Sequence, residues 1–359
     1  MKHIHIAVLY NEPDPNDCVS RLESEEDTKA SAHLIGDALA KFPFLVISYV
    51  PVTRTTISKI TDIRADCVFN CIEWTGRDLS LVPAVFGKLD ALGIVVTGSN
   101  EKTYIETTDK VAMKRLLDTH AVPTPRWAVY ADGEKDSGEW KYSFPVIVKL
   151  AQEHCGVGLD GSSIVCDNVQ MTNIIRKRIR DYNQPVLAEE YVDGREFEVT
   201  MIDDGHTPAV LPVVEYKFDI DKPQRILTYD AKWNRSKTET VSYVVDVADL
   251  PEEKLRELSK ICMDAYGLLG FWGYTRFDVR LDSSGHWWIL ETNSNPGIDD
   301  DDDNGLARSF HMVSMTLGDF CLWIMYAAYV RSGRQSEAEE IFLPLIRRWK
   351  VSLFPEEQR

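Results

Sequence analysis

Residues 273–297, GYTRFDVRLDSSGHWWILETNSNPG, constrain the fold more than any other stretch of the chain. Tyr274 to Leu281 alternates polar and apolar, Asp282-Ser283-Ser284-Gly285 is turn chemistry, and His286 to Glu291 resumes as a strand. With Asp282 paired to Gly285, the register sets Arg276 opposite Glu291 and Asp278 opposite Ile289. Directly opposed residues share a sheet face, as do residues two apart, so Arg276, Asp278, Glu291 and Asn293 converge on one side. Two carboxylates, an amide oxygen and a guanidinium are costly there unless a ligand pairs with them. A hard divalent cation suits the set, because Mg²⁺ takes one or two carboxylates together with substrate phosphates. The plain alternative is a solvated hairpin face.

Arg-x-Asp followed, after a short turn, by Glu-x-Asn-x-x-Pro-Gly resembles the metal-binding signature of the ATP-grasp ligases, and most closely that of the D-alanine–D-alanine ligase branch. The resemblance extends from about Asp66 to Gly297. It implies an α/β chain with the ATP-grasp fold behind a doubly wound N-terminal domain. The expected divisions are a pre-ATP-grasp domain at 1–104, a linker helix and small central domain at 105–200, a C-terminal domain with the metal site at 201–335, and a helix and tail at 336–359.

A chain of 359 residues, 44% hydrophobic and 27% charged, has ample material for a core. Its formal charge of −17 argues against a nucleic-acid surface, which needs a basic footprint, and against an anionic membrane. Local basic residues can still hold phosphates. Seven scattered cysteines without CxxC or zinc spacing fit reduced thiols. No apolar run reaches the roughly 18 residues of a membrane span, and the N-terminus lacks signal-peptide features, so a cytoplasmic protein is expected.

Ile4 to Tyr10 is a near-continuous apolar run, as in a buried parallel strand, and a helical pattern from Glu25 to Lys41 follows it. Phe44 to Val50 and Cys67 to Cys71 are further strands, giving the alternation of a doubly wound sheet with its sites at strand carboxyl ends. Asn70 and Glu73 would face the cleft there; a capping Asn and a surface Glu are the plain alternative. The family's Ser-Ala-Glu-(Arg/Lys)-Glu-Val-Ser stretch is absent. NEPDPNDCVSRLESEED stands in its place, with Glu23, Glu25 or Glu26 as substitutes for the ammonium-binding Glu. That departure puts the acyl substrate in doubt.

Thr107 to Thr119 reads as one capped helix, in which the resemblance makes Lys110 a phosphate contact. Phe144 to Leu150 is an apolar strand with one cation, Lys149, which needs an anion or an escape to water; the family places an ATP-phosphate lysine there. AQEHCGVGLDGSS then carries three glycines within six residues, and such a loop exposes backbone N–H groups to phosphates. Pro185 to Thr200 reads as a polar hairpin. The resemblance makes Glu189 through Val192 the adenine-recognising hinge and Glu196 a ribose-hydroxyl acceptor. Ile226 to Asn234 matches a mobile lid whose Lys232 reaches the γ-phosphate, with Trp233 where a tyrosine is usual. An amphipathic helix from Glu252 to Gly267 would back the central sheet.

After Pro296-Gly297-Ile298 the family's Ser-His-Ser is replaced by Asp299 to Asp303. Five successive acids read as a solvated loop or, more sharply, as a pocket for a cationic nucleophile. Leu306 to Val330 reads as one packed helix and Glu337 to Trp349 as another; their apolar faces would also serve a homodimer interface.

The resemblance therefore implies an ADP-forming ligase that joins a small carboxylate, through an acyl phosphate, to an amino acid or other amine. Asp278, Glu291 and Asn293 would hold two Mg²⁺, with Mn²⁺ as a substitute. Lys110, Lys149 and Lys232 would neutralise ATP phosphates, and Arg276 with the Gly297 N–H would meet the oxyanion. Two alternatives accompany it: condensation of an amino acid with an activated cyclohexenone, as in mycosporine-like amino acid synthases, and a nucleotide-binding module without turnover.

Overall fold

The computed structural model describes residues 3–15, 19–131, 140–219, 225–233 and 243–354. At the N-terminus β1 (Ile4–Asn11), β2 (Leu45–Val52), β3 (Cys67–Cys71) and β4 (Val95–Val96) form a parallel sheet in the order β2-β1-β3-β4. The apolar run of β1 is buried on both faces. Ile6, Val8 and Tyr10 pack with α1 (Val19–Leu39), while Ala7 and Leu9 pack with α2 (Val82–Leu92).

The segment expected to be one helix at 107–119 is two. Helix α3 (Glu101–Thr108) stops at Asp109, whose carboxylate accepts the Val111 and Ala112 N–H groups and starts α4 (Lys110–Thr119). An N-cap that satisfies orphan donors restarts the helix at a new angle. The central antiparallel sheet runs β5-β8-β6-β7, from β5 (Trp127–Tyr130), β6 (Val146–Leu150), β7 (Ile164–Val165) and β8 (Val186–Glu190). Val146, Val148 and Leu150 pack onto α5 (Asn168–Tyr182), so period-two alternation leaves Ile147 and Lys149 on the opposite, cleft-facing side.

The C-terminal sheet is antiparallel. It contains β9 (Gly194–Asp203), β10 (Pro208–Val210), β11 (Val214–Phe218), β12 (Tyr243–Val247), β13 (Tyr274–Asp282) and β14 (Trp287–Ser294), ordered β12-β11-β9-β13-β14 with β10 also on β9. The expected hairpin at 185–200 is therefore not one: β8 and β9 belong to different sheets, and the boundary expected at 200 falls inside β9. Between β11 and β12 the short helix α6 (Tyr229–Trp233) lies in the segment read as a lid. Helix α7 (Glu252–Leu269) backs the sheet, burying Leu258, Cys262 and Ala265 against Phe197, Val199, Phe277 and Val279. The alternate residues Glu196, Glu198, Arg276, Asp278 and Arg280 are left on the cleft face.

The single helix expected at 306–330 is also two, α8 (Gly305–Met312) and α9 (Leu317–Arg331), bent by 90°. Ser314 adopts a left-handed φ of 59°, and Thr316 with Asp319 forms a reciprocal capping box that starts α9. Helix α9 is buried along nearly its whole length, packed against α1, β4 and β9, and so it joins the N-terminal and C-terminal sheets in one core. Two short helices, α10 (Gln335–Ile341) and α11 (Leu343–Leu353), replace the one expected at 337–349, with a proline in the first turn of α11. Among the described residues no single helix is long and apolar enough to cross a membrane.

Candidate active site

The β13–β14 hairpin turns one residue later than expected, with the Asp282 N–H donating to His286 C=O. Its register shifts between Asp278 and Val279, and Leu290 is the extra residue. Val279 opposes Ile289, but Asp278 opposes Glu291 and Arg276 opposes Asn293. This corrects the expected pairing and has a clear consequence. Without a bulge, Ile289 and Glu291 would share a face. With it, Ile289 is fully buried against α7 while Glu291 turns to the cleft. The four polar residues converge as expected, by a different register.

Two adjoining cavities occupy the cleft, sharing Cys155, Leu227, Arg276 and Asp278. The inner one, about 90 Å³, is lined by Lys149, by Glu189 through Val192, and by Glu196, Arg280 and Glu291, with Ile147, Leu159, Ile226 and Leu290 as apolar walls. The outer one, about 210 Å³, is lined by Arg276, Asp278, Asn293, Gly297, Glu73 and the acidic loop. A Cβ on Gly297 would lie 3.9 Å from Glu73 Oε2, so the glycine lies beside the N-terminal domain.

Charge compensation ties these groups together. Glu291 Oε1 accepts from His154 Nδ1 at 2.8 Å and pairs with Lys110 Nζ at 2.9 Å. Burial alone would push the Glu291 carboxyl up; Lys110 and His154 overcome it and hold the group well below the usual carboxylate range. Lys110 does not line either cavity. It is 3% exposed, and its Nζ lies between Glu291 and the Glu153 C=O, so it acts on the carboxylate and not directly on the cleft.

Glu189 is clamped between Lys149 and Lys114, the latter at 2.7 Å. Burial opposes its ionisation, yet the two lysines lower its pKa below the ordinary value. Lys114 is buried, donates to Thr124 Oγ1 at 2.6 Å, and is itself pushed down by burial. Glu196 accepts Arg280 through Nε at 2.9 Å and Nη2 at 2.6 Å, and Arg280 Nη1 donates to the Val192 C=O at 2.6 Å. Arg276 pairs with Asp278 at 3.1 Å and lies 3.7 Å from Glu198, whose Oε2 accepts the Tyr216 hydroxyl at 2.9 Å. Burial would lower the Arg276 pKa, but Asp278 and Glu198 raise it well above the usual value, so the guanidinium is a permanent charge.

Asn70 does not face the cleft. It is buried, and its Oδ1 accepts the Ile72 N–H to shape the turn after β3; Glu73 alone lines the cavity. From α1 the outer cavity takes Asp27, and not Glu23, Glu25 or Glu26. Glu25 instead accepts the Asp14 N–H. The Lys232 side chain lies outside the described residues. The base of its segment packs on the glycine loop, with Tyr229 N–H donating to Leu159 C=O at 3.1 Å.

Sequence reasoning missed His154, Lys114, Glu198 and Arg280. A period-two count on β13 links Arg280 to Arg276, and the Asp-Lys-x-x-x-Lys spacing contains Lys114. Nothing local announces that His154 meets Glu291, 137 residues away.

Asp278 and Glu291 face each other from neighbouring strands, and no described residue contacts Glu291 Oε2 as a polar partner. Asn293 lines the same cleft with its Nδ2 unpaired. No cluster of three His, Cys, Asp or Glu side chains is assembled among the described residues, and Lys110, Arg276 and the His154 ring compensate the acids. Such a set fits Mg²⁺, which takes few protein carboxylates and completes its shell with water and phosphate oxygens.

Residues 116–301 match the family described as D-ala D-ala ligase C-terminus. The chain is 34% identical over 216 residues to a D-alanine–D-alanine ligase of Cupriavidus pinatubonensis, covering 59% of this chain and 62% of that one. To its counterpart in Cupriavidus taiwanensis it is 32% identical over 243 residues, covering 67% and 70%. It spans about three fifths of the length of several such relatives, 62% for that of a Marinomonas species. The fold matches D-alanine–D-alanine ligase from Bacillus anthracis with a TM-score of 0.71 at 19% identity, covering 93% of this chain and 99% of that one. The D-Ala:D-Ser ligase of Enterococcus faecalis gives 0.71 at 14% identity, covering 91% and 100%. The fold is thus that of the ATP-grasp ligases, and the chain belongs to the D-alanine–D-alanine ligase family.

Proposed function

We propose that the chain is an ATP-dependent, ADP-forming ligase that activates a small carboxylate and joins it to an amine. The observation that carries this reading is the convergence of Arg276, Asp278, Glu291 and Asn293 at the junction of an apolar-walled inner cavity and a polar outer one. Its relatives bear the name D-alanine–D-alanine ligase, and one structural neighbour, from Bacillus anthracis, is complexed with ATP.

In this reading the adenine lies in the inner cavity between Ile147, Leu290 and the Glu189–Val192 segment, with Glu196 toward the ribose and Lys149 toward the phosphates. Lys232 comes from the lid segment. Asp278, Glu291 and Asn293 would hold Mg²⁺, which supplies charge neutralisation at the phosphates. The substrate carboxylate attacks the γ-phosphate, ADP leaves, and the amine then displaces phosphate from the acyl phosphate. Positioning and electrostatics account for most of such catalysis. The role of Arg276 is to meet the oxyanion with a fixed charge, backed by the Gly297 N–H. Its pairing with Asp278 and Glu198 preorganises that charge, so little rearrangement is needed during reaction. Lys110 and His154 keep Glu291 ionised.

Phosphate release with ATP and Mg²⁺ across a panel of amino acids and amine–acid pairs tests the proposal, with Glu291→Gln as control. Release by the native chain, lost in the variant, supports it. ATP binding without release for any pair would instead favour a binding module, and products with a cyclohexenone acceptor would favour ketone activation.

A further inference from the structure

The outer cavity carries much more negative charge than a ligase needs to hold Mg²⁺. Seven carboxylates line it, contributed by α1, the turn after β3, β9, β13 and the loop after Gly297, against Arg276 as its one lysine or arginine among the described residues. The loop residues Asp299 to Asp303 divide by parity. Asp300 and Asp302 turn away onto His311, at 3.1 and 2.7 Å, whereas Asp299, Asp301 and Asp303 line the cavity. Asp299 and Asp301 have only backbone N–H partners among the described residues, from Asp300 and Asp303. His311 therefore anchors the loop with its odd acids turned inward.

A separate observation concerns a neutral residue of the same cavity, Asn293. Asn293 is 7% exposed, lines the cavity with Arg276, and its Nδ2 has no partner among the described residues. A buried donor without an acceptor is costly, and one beside a guanidinium calls for an oxygen-bearing occupant. The cavity thus holds donors for an acyl or phosphoryl oxygen, Arg276 and Asn293, together with Asp299 and Asp301, which neither donor contacts among the described residues.

We infer that the amine substrate carries a second positive charge besides its reacting nitrogen, as a diamine or an amino acid with a cationic side chain does. This rests on the ligase reading. The reacting amine must be neutral to attack, and nearby carboxylates stabilise the protonated form. Acids placed against the reacting nitrogen would slow the reaction. Set apart from it, they bind a charge that stays protonated throughout and hold the nucleophile in line.

The test is calorimetric titration of the full chain with putrescine and with n-butylamine, which differ by one charge at similar length. Putrescine is expected to bind at least about tenfold more tightly, the scale on which a few partly exposed ion pairs discriminate. The triple variant D299N/D301N/D303N should bring the two affinities together, and raised salt should do so partly. The pair E252Q/E253Q, exposed at the start of α7 and outside the cavity, should keep the preference. Circular dichroism verifies folding, and D301N alone serves if the triple variant does not fold. Equal affinities, no putrescine binding, or an unchanged preference in the folded Asn variants would overturn the inference. ATP titrated separately distinguishes the two readings: failure to bind ATP sinks the ligase proposal, whereas putrescine selectivity is read independently of it.

Discussion

Lys110 Nζ and Glu291 Oε1 lie 2.9 Å apart behind the cleft, and His154 contacts the same oxygen at 2.8 Å. The Lys110 ammonium and the His154 ring nitrogen on one oxygen hold the carboxylate in its ionised form and in one rotamer. Glu291→Gln should therefore abolish metal-dependent phosphate release, by about a hundredfold or more. It should also leave Lys110, 3% exposed, without its anion, at a cost of roughly 3 kcal/mol. Chemical denaturation and phosphate assay on one preparation measure both. A variant with native stability and turnover would remove Glu291 from both roles.

Glu189 and its two lysines predict a pH dependence. The folded-state pKa of Glu189 is depressed, so the unfolded chain binds more protons over the acid range and stability rises with pH there. The stabilisation is fully present above the ordinary carboxylate pKa of about 4.3 and is lost as pH falls below it toward the depressed value. Melting temperature against pH should show an acid limb that is shallower in Glu189→Gln. At neutral pH the same variant should be destabilised by about 3 kcal/mol, because it strands Lys114 and Lys149, and Lys114→Met by less. Parallel acid limbs in variant and native chain would contradict this.

Arg276 predicts a split between binding and turnover. Arg276→Lys keeps a charge but loses the planar fork that spans Asp278 and Glu198. If the residue meets charge developing during reaction, kcat should fall about a hundredfold while KM for ATP changes by about twofold or less. Steady-state kinetics decide it. A large rise in KM with kcat retained would make Arg276 a ground-state binding residue.

Much of the cleft was legible because sheet faces depend on a period of two, and Arg276 with Asp278 needed no more than that. Register was not legible. The extra residue at Leu290 reverses parity between Ile289 and Glu291, and no residue in WWILETN signals a bulge. The break between α8 and α9 could have been read, since Thr-x-x-Asp at 316–319 is capping-box chemistry inside an otherwise apolar run. The pairings of His154 with Glu291 and of Lys114 with Glu189 join residues 137 and 75 positions apart, and they exist only once the segments carrying them fold against one another. The acidic loop illustrates the intermediate case. Its charge is plain in the sequence, but the division of odd from even residues depends on His311.

The contact of Gly98 with Asn295 gives a further prediction. Gly98 adopts a φ of +86°, and a Cβ there would lie 2.2 Å from Asn295 Oδ1. That oxygen accepts the Ser99 N–H at 2.9 Å, and Asn295 immediately precedes the Pro296-Gly297 turn of the outer cavity. Gly98→Ala must therefore adopt a conformation strained for an L-residue and displace the amide that positions this turn. Strain of this kind costs about 1–3 kcal/mol. Because Gly297 moves with Asn295, turnover should fall more than the loss of stability explains at a temperature where the variant remains folded. Denaturant titration and phosphate release at that temperature measure the two effects. A stability loss with unchanged turnover would show that the Gly98–Asn295 contact holds the domains together without setting the geometry around Gly297.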